Sequence, residues 1–136
     1  MLDNANTELD LDTWSRDGLL VVDDVLSATE LEQLQQWVLE LENRPGTTDQ
    51  LLQYNETTVD GSIRRCRTEN FLPYHDGLRA LLTVGRIPEI AGTLLGQKAV
   101  LYKEKINYKH PGAGGFDAHT DAPAYQHAGA LKHLTI

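Results

Sequence analysis

The stretch that most restricts what this chain can become runs from Ala99 to Asp121. From Ala99 to Tyr108 the residues alternate: Leu101, Lys103, Lys105 and Asn107 share one side, and Tyr102, Glu104, Ile106 and Tyr108 share the other. Successive side chains of a strand point to opposite faces, so the segment predicts a strand with one polar face. Pro111-Gly112-Ala113-Gly114-Gly115 then imposes a tight turn before the chain resumes at Phe116 to Asp121. A new apolar run begins at Leu131 and reaches Ile136. A backbone that stops inside a strand leaves donors and acceptors without partners, so a truncated domain is expected.

Upstream, the pattern is mainly helical. Residues Leu9 to Arg16 predict a short helix stopped by Gly18, and Leu19-Leu20-Val21-Val22 is β-prone. Ser27 and Glu30 have capping-box spacing, and Leu31, Leu34, Val38 and Leu41 recur at helical intervals up to about Asn43, where Pro45-Gly46 follows. Leu51 to Tyr54 and Ser62 to Thr68 predict two strands around Asp60-Gly61. Two short helices should follow, near His75 to Val84 and Pro88 to Leu95, the second closed by Gly96. No internal repeat interrupts this order.

Composition narrows the function. The 136 residues carry 12 Lys and Arg against 20 Asp and Glu, a formal charge of −8, which gives no basic footprint for nucleic acid or an anionic membrane. The start lacks a basic, then apolar leader, and no run approaches the length of a membrane span, so a cytoplasmic protein is expected. The single cysteine, Cys66, cannot form an internal disulfide. Its neighbours Arg65 and Arg67 would favour a thiolate, but a packed or surface cysteine is the more ordinary reading.

The chemistry-bearing triplet is His119-Thr120-Asp121. Residues two apart in an extended segment project to the same side, so an imidazole nitrogen and a carboxylate oxygen can reach one ion. A third ligand from a distant strand would complete a two-His, one-carboxylate triad with open sites for non-haem iron(II). Such a triplet also arises by chance, and a histidine beside a loop is often a surface hydrogen-bonding residue. Context decides between them.

The segment LYKEKINYKHPGAGGFDAHTDAPAYQ resembles the corresponding stretch of the phytanoyl-CoA dioxygenase family over its whole length. In that family a strand with a polar side chain pointing into a barrel precedes a glycine-rich turn, an aromatic residue, and an HxD with another aromatic shortly after. Asn107, Gly112, Gly114, Gly115, Phe116, His119, Asp121 and Tyr125 supply those parts, and the helix opening at Ser27 and the RTENF segment from Arg67 to Phe71 suit the family's N-terminal region.

The resemblance implies a mixed α/β fold in which N-terminal helices pack on a double-stranded β-helix, a jelly-roll or cupin-like barrel, truncated after its first strands. Residues 1–98 would form the helical region of one incomplete oxygenase domain, and 99–136 its first barrel strands. His119 and Asp121 would be two of three Fe(II) ligands. Asn107 and Lys103 match positions that hold 2-oxoglutarate in relatives, Asn107 being the better match; a solvated strand face is the plain alternative for both and is preferred for Lys105. Relatives place a second ligating histidine, and an arginine for the distal carboxylate of 2-oxoglutarate, beyond the HxD. The later histidines here, His127 and His133, read as loop or core-edge residues, as do His75 and His110.

The implied activity is hydroxylation of a small organic substrate with O2 and 2-oxoglutarate, which is decarboxylated to succinate, ascorbate serving as a reductant. Related halogenases carry a small residue where Asp121 stands, so Asp121 favours oxygenation. The substrate is not legible among acyl-CoA thioesters, amines, organophosphonates and natural-product scaffolds, although the strand and turn resemble bacterial members acting on small polar metabolites such as an aminoalkylphosphonate. Arg64, Arg65 and Arg67 are candidates for an anionic substrate, a solvated edge being the alternative. Two other classes remain open: a non-catalytic barrel that binds a small molecule, and a metal-dependent barrel enzyme that does not use 2-oxoglutarate.

Overall fold

The computed structural model describes residues 8–46, 51–120 and 132–136. Helix α1 spans Leu11–Asp17, α2 Ala28–Asn43, α3 Asp76–Thr83 and α4 Arg86–Leu95; strands β1 (Leu52–Thr57), β2 (Ile63–Glu69) and β3 (Lys105–Asn107) form one antiparallel sheet in that order. The fold is therefore mixed α/β, and among the described residues the sheet is open. No helix among the described residues is long and apolar enough to cross a membrane.

Local chemistry sets the helix ends. The Asp10 carboxylate accepts the Thr13 N–H at 2.9 Å to start α1, and Gly18 ends it with φ of 67°, a left-handed conformation that suits glycine. At α2 the predicted capping box is formed: the Ser27 hydroxyl accepts the Glu30 N–H and the Glu30 carboxylate accepts the Ser27 N–H at 2.8 Å. The His75 Nδ1 atom accepts the Leu78 N–H at 3.1 Å and starts α3. Gly96 closes α4, also with φ of 67°.

The core lies between α2, α3 and one face of the sheet. Leu41, Leu51, Phe71, Leu72 and Leu78 form its buried cluster, with Leu34, Trp37, Leu82 and Ile106 packed around it. Trp37 leaves so little room over α3 that a Cβ on Gly77 would stand 2.4 Å from its ring. On β2 and just past β3 the same face carries Thr68, which is fully buried, and Tyr108, whose hydroxyl donates to Thr68 Oγ1 at 3.1 Å. Burial pushes the Tyr108 phenol up from its ordinary range.

Two expected strands differ. Leu19–Val22 is extended, with Leu20 and Val22 half-buried and Leu19 and Val21 exposed, but among the described residues it pairs with no strand. The carbonyls of Asp24 and Val25 just beyond it accept from the Arg86 guanidinium, at 2.8 and 3.1 Å, in place of a neighbouring strand. The alternation expected over Ala99–Tyr108 is present from Glu104 onward, yet only Lys105–Asn107 joins the ladder, opposite Arg67–Glu69. Lys105 lies opposite Glu69, the last residue of β2, so ladder partners end there; just before it the Glu104 carboxylate accepts the Leu72 N–H at 3.1 Å, and residues 99–104 do not join the ladder. In the run expected to begin a strand at Leu131, residues 132–136 carry no strand; Leu131 lies outside the described residues.

Candidate active site

The sheet has a second face, turned away from the helices, and of the predicted site residues Asn107 and Lys103 lie on it. Tyr54 lies opposite Arg67, and Arg67 lies opposite Asn107, so one row across the three strands presents an aromatic ring, a guanidinium and a carboxamide. The next residues on this face are Glu69 and Lys105, facing each other across the ladder, with Lys103 beyond. Asn107, Lys105 and Lys103 are all exposed. Lys103 and Asn107 thus share a polar face, as the alternation predicts, and both stand in the chain segment that leads into the glycine-rich turn.

Charge on this face is arranged around Glu69. Its carboxylate is buried and takes Lys103 Nζ at 3.1 Å on one oxygen and Arg67 Nη1 at 3.1 Å on the other. Burial works against its charge, but the hydrogen bonds and positive charges of Lys103 and Arg67 outweigh that penalty and hold the carboxyl below its usual range. The Arg67 guanidinium lies 5.2 Å from the Tyr54 ring centre and 5.6 Å from that of Phe116, within cation–π range of both. Lys109 Nζ stands 4.7 Å over the same Phe116 ring. Arg67 therefore links the strand face to the segment that carries His119.

His119 lies at the end of this segment. Its ring meets the Phe116 ring edge-on, with centroids 6.2 Å apart, and its Nδ1 lies 2.6 Å from the Asp117 carbonyl oxygen. A carbonyl oxygen only accepts, so Nδ1 carries the proton and, in the neutral ring, the lone pair sits on Nε2. Metal-ligating histidines are oriented by this kind of contact from the other ring nitrogen to a backbone carbonyl. The donor chemistry of His119 fits a metal ligand. Asp121, its expected co-ligand, lies outside the described residues, as do Tyr125 and His127. Among the described residues no group of three or more His, Cys, Asp or Glu side chains is placed to hold a metal ion.

The remaining candidates have other work. His75 is buried, caps α3 and meets Trp37 edge-on at 5.3 Å. His110 Nε2 is 2.9 Å from the Glu42 carboxylate of α2, though not aligned as a hydrogen bond. His133 is exposed and borders an apolar groove with Leu20, Ile90 and Leu94. Cys66 is a free, half-buried thiol. Arg65 donates to Asn55 Oδ1 at 2.9 Å and Arg64 to Ser62 Oγ at 3.4 Å, which ties both to the hairpin. Of the three arginines, Arg67 is the one aligned with Asn107. Its sequence neighbours Arg64 and Arg65 look equivalent to it along the chain; the register of β2 against β3 sets Arg67 apart by pairing it with Asn107.

The chain is 46% identical over 120 residues to a methylphosphonate hydroxylase of Gimesia maris, covering 88% of this chain and 46% of that protein. It is 36% identical over 124 residues to a 2-aminoethylphosphonate dioxygenase from an uncultured bacterium, covering 90% of this chain and 47% of the relative. A dioxygenase, lolE1, of Epichloe uncinata is 35% identical over 97 residues, covering 71% and 37%. The chain thus spans about half or less of the length of the curated relatives it matches. No solved structure matches it significantly. The family model for phytanoyl-CoA dioxygenase (PhyH) matches residues 14–135, and the chain belongs to that family.

Proposed function

We propose that the protein carrying this chain is an Fe(II)- and 2-oxoglutarate-dependent dioxygenase that hydroxylates a small organophosphonate. The observation that carries the reading is the single sheet face on which Asn107, Arg67 and Lys103 lie beside the turn that delivers His119. His119 and Asp121 would hold Fe(II) as two of three ligands, the third coming from the length of the relatives that this chain does not span. When bound, iron and 2-oxoglutarate supply the oxidising chemistry with O2, the cosubstrate leaving as succinate and CO2.

The chain's own residues would orient and desolvate. Asn107 offers a carboxamide to the cosubstrate from the strand before the turn, and Arg67, flanked by two aromatic rings, offers a guanidinium suited to a carboxylate. Lys103 adds positive charge while neutralising Glu69. The Asp117 carbonyl keeps the His119 proton on Nδ1, so that Nε2 is the ligating atom. On this reading the three-stranded sheet is one wall of a double-stranded β-helix, with α2 and α3 outside and the polar face turned inward. A phosphonate substrate follows from the two relatives named for methylphosphonate and 2-aminoethylphosphonate, which cover about nine-tenths of the chain.

The test is succinate formation by the protein expressed from its whole reading frame, with Fe(II), ascorbate and 2-oxoglutarate, in the presence of methylphosphonate, 2-aminoethylphosphonate, an acyl-CoA or a simple amine. Succinate that rises with a phosphonate, together with a hydroxylated product, is expected. Stimulation by the acyl-CoA or amine alone would contradict the substrate class. Iron binding without any 2-oxoglutarate turnover would contradict the reaction.

A further inference from the structure

The glycine-rich turn is held at two points by the far end of the β1–β2 hairpin. The Glu56 carboxylate accepts the Gly114 N–H at 3.0 Å, from a residue 58 positions away in the chain. Beside it, the Val59 N–H donates to the Gly112 carbonyl at 3.1 Å. The hairpin end making these contacts is itself stiff. Thr58 N–H donates to the Ser62 carbonyl at 2.9 Å, and the Asp60 carboxylate accepts from the Thr58 hydroxyl and from the Ser62 N–H and hydroxyl. Those bonds, the Thr58 hydroxyl foremost, hold the Asp60 carboxyl well below the usual range.

The fit is close on the turn's side. Gly112 has φ of 75°, and a Cβ there would stand 2.8 Å from Val59 Cγ2. A Cβ on Gly114 would stand 3.1 Å from Glu56 Oε2. The other end of the turn is anchored where Tyr108 N–H donates to the Cys66 carbonyl at 3.0 Å and His110 meets Glu42 of α2. Phe116 and His119 leave the turn directly after these anchors, so the turn's position sets where the imidazole is presented.

We propose that Glu56 is a positioning residue for the metal ligand His119: by clasping Gly114 it fixes the turn from which His119 is presented to the iron. This rests on the function proposed above. An ordinary surface contact would be replaceable by water at little cost. Here a charged acceptor, a second backbone bond two residues along the turn and a glycine packed against Val59 converge on one loop, and a charge-assisted bond is about twice as strong as a neutral one. Partners bonded directly to a ligating side chain typically contribute about 10- to 100-fold in metal affinity; Glu56 acts one step removed, through the turn, so the low end of that range is expected.

The test uses the protein from its whole reading frame, with Glu56→Ala, Glu56→Gln and His119→Ala compared by anaerobic Fe(II) titration and by amide hydrogen exchange at Gly114. Glu56→Ala should weaken Fe(II) about tenfold and speed Gly114 exchange by a similar factor. Glu56→Gln, whose amide oxygen still accepts, should restore both to within about threefold. Should Glu56→Ala not fold, Glu56→Asp keeps the charge but shortens the reach, and the same two losses are expected. Faster exchange with unchanged iron affinity and kcat would reduce Glu56 to a structural contact and overturn the proposal, as would no change in either. If His119→Ala bound iron like the parent, the metal reading itself would fail, while Gly114 exchange would still decide whether the clasp exists.

Discussion

Lys103 Nζ and the Glu69 carboxylate stand 3.1 Å apart on the polar face of the sheet, with the Arg67 guanidinium on the other carboxylate oxygen. Glu69 is thus the counter-charge that lets two cations sit together beside Asn107. Its carboxyl is held below the usual range, so its contribution to stability is present above the unfolded value of about 4.3 and lost as pH falls through the lower folded value. Glu69→Gln should cost about 2 kcal/mol at pH 7 in urea unfolding, and the gap to the parent should shrink toward pH 3. A gap that widened on acidification would contradict this sign.

Leu78 is 1% exposed and brings α3 into the buried cluster that also holds Leu41 and Phe71. Leu78→Ala should destabilise by about 2–5 kcal/mol, since the helices and sheet that line the site can collapse only partly into the space. Denaturant midpoints with an unchanged slope would report this directly.

Gly112 combines a positive φ with close approach to Val59. Gly112→Ala should cost about 1–2 kcal/mol through the left-handed conformation, with a further steric cost from Val59. Pairing it with Val59→Ala should recover the steric part and leave the conformational part. Simple additivity of the two substitutions would show that the contact carries no energy.

Asn107 lies opposite Arg67 on the exposed face and makes no contribution to the core. Asn107→Ala should weaken 2-oxoglutarate about tenfold under anaerobic titration, the loss of one or two hydrogen bonds, while iron affinity changes little. Equal 2-oxoglutarate affinity in variant and parent would return Asn107 to the role of a solvated strand residue.

Much of this was legible because it is local. The capping box at Ser27 and Glu30, the stop at Gly18, the closure of α4 by Gly96 and the hairpin around Asp60-Gly61 each depend on a few adjacent residues, and the structure forms all of them. The alternation of residues 103–107 likewise placed Lys103 and Asn107 on one face. Pairing was not legible. Leu19–Val22 has strand composition but no strand paired with it among the described residues, and β3 is shorter than its alternation because ladder length depends on where β2 ends. Arg67 and Glu56 were not singled out for their roles here because each acts through register or a contact distant in sequence, which spacing along the chain does not encode.

Ligation of iron by His119 Nε2 stands at the centre of the proposed function. It is tested most directly by anaerobic Fe(II) titration of the protein expressed from its whole reading frame, comparing the parent with His119→Ala and Asp121→Ala. About one iron per chain is expected in the parent and loss of most binding in both variants, with folding retained in His119→Ala because His119 is exposed and outside the core. Unchanged iron stoichiometry and affinity in His119→Ala would contradict it.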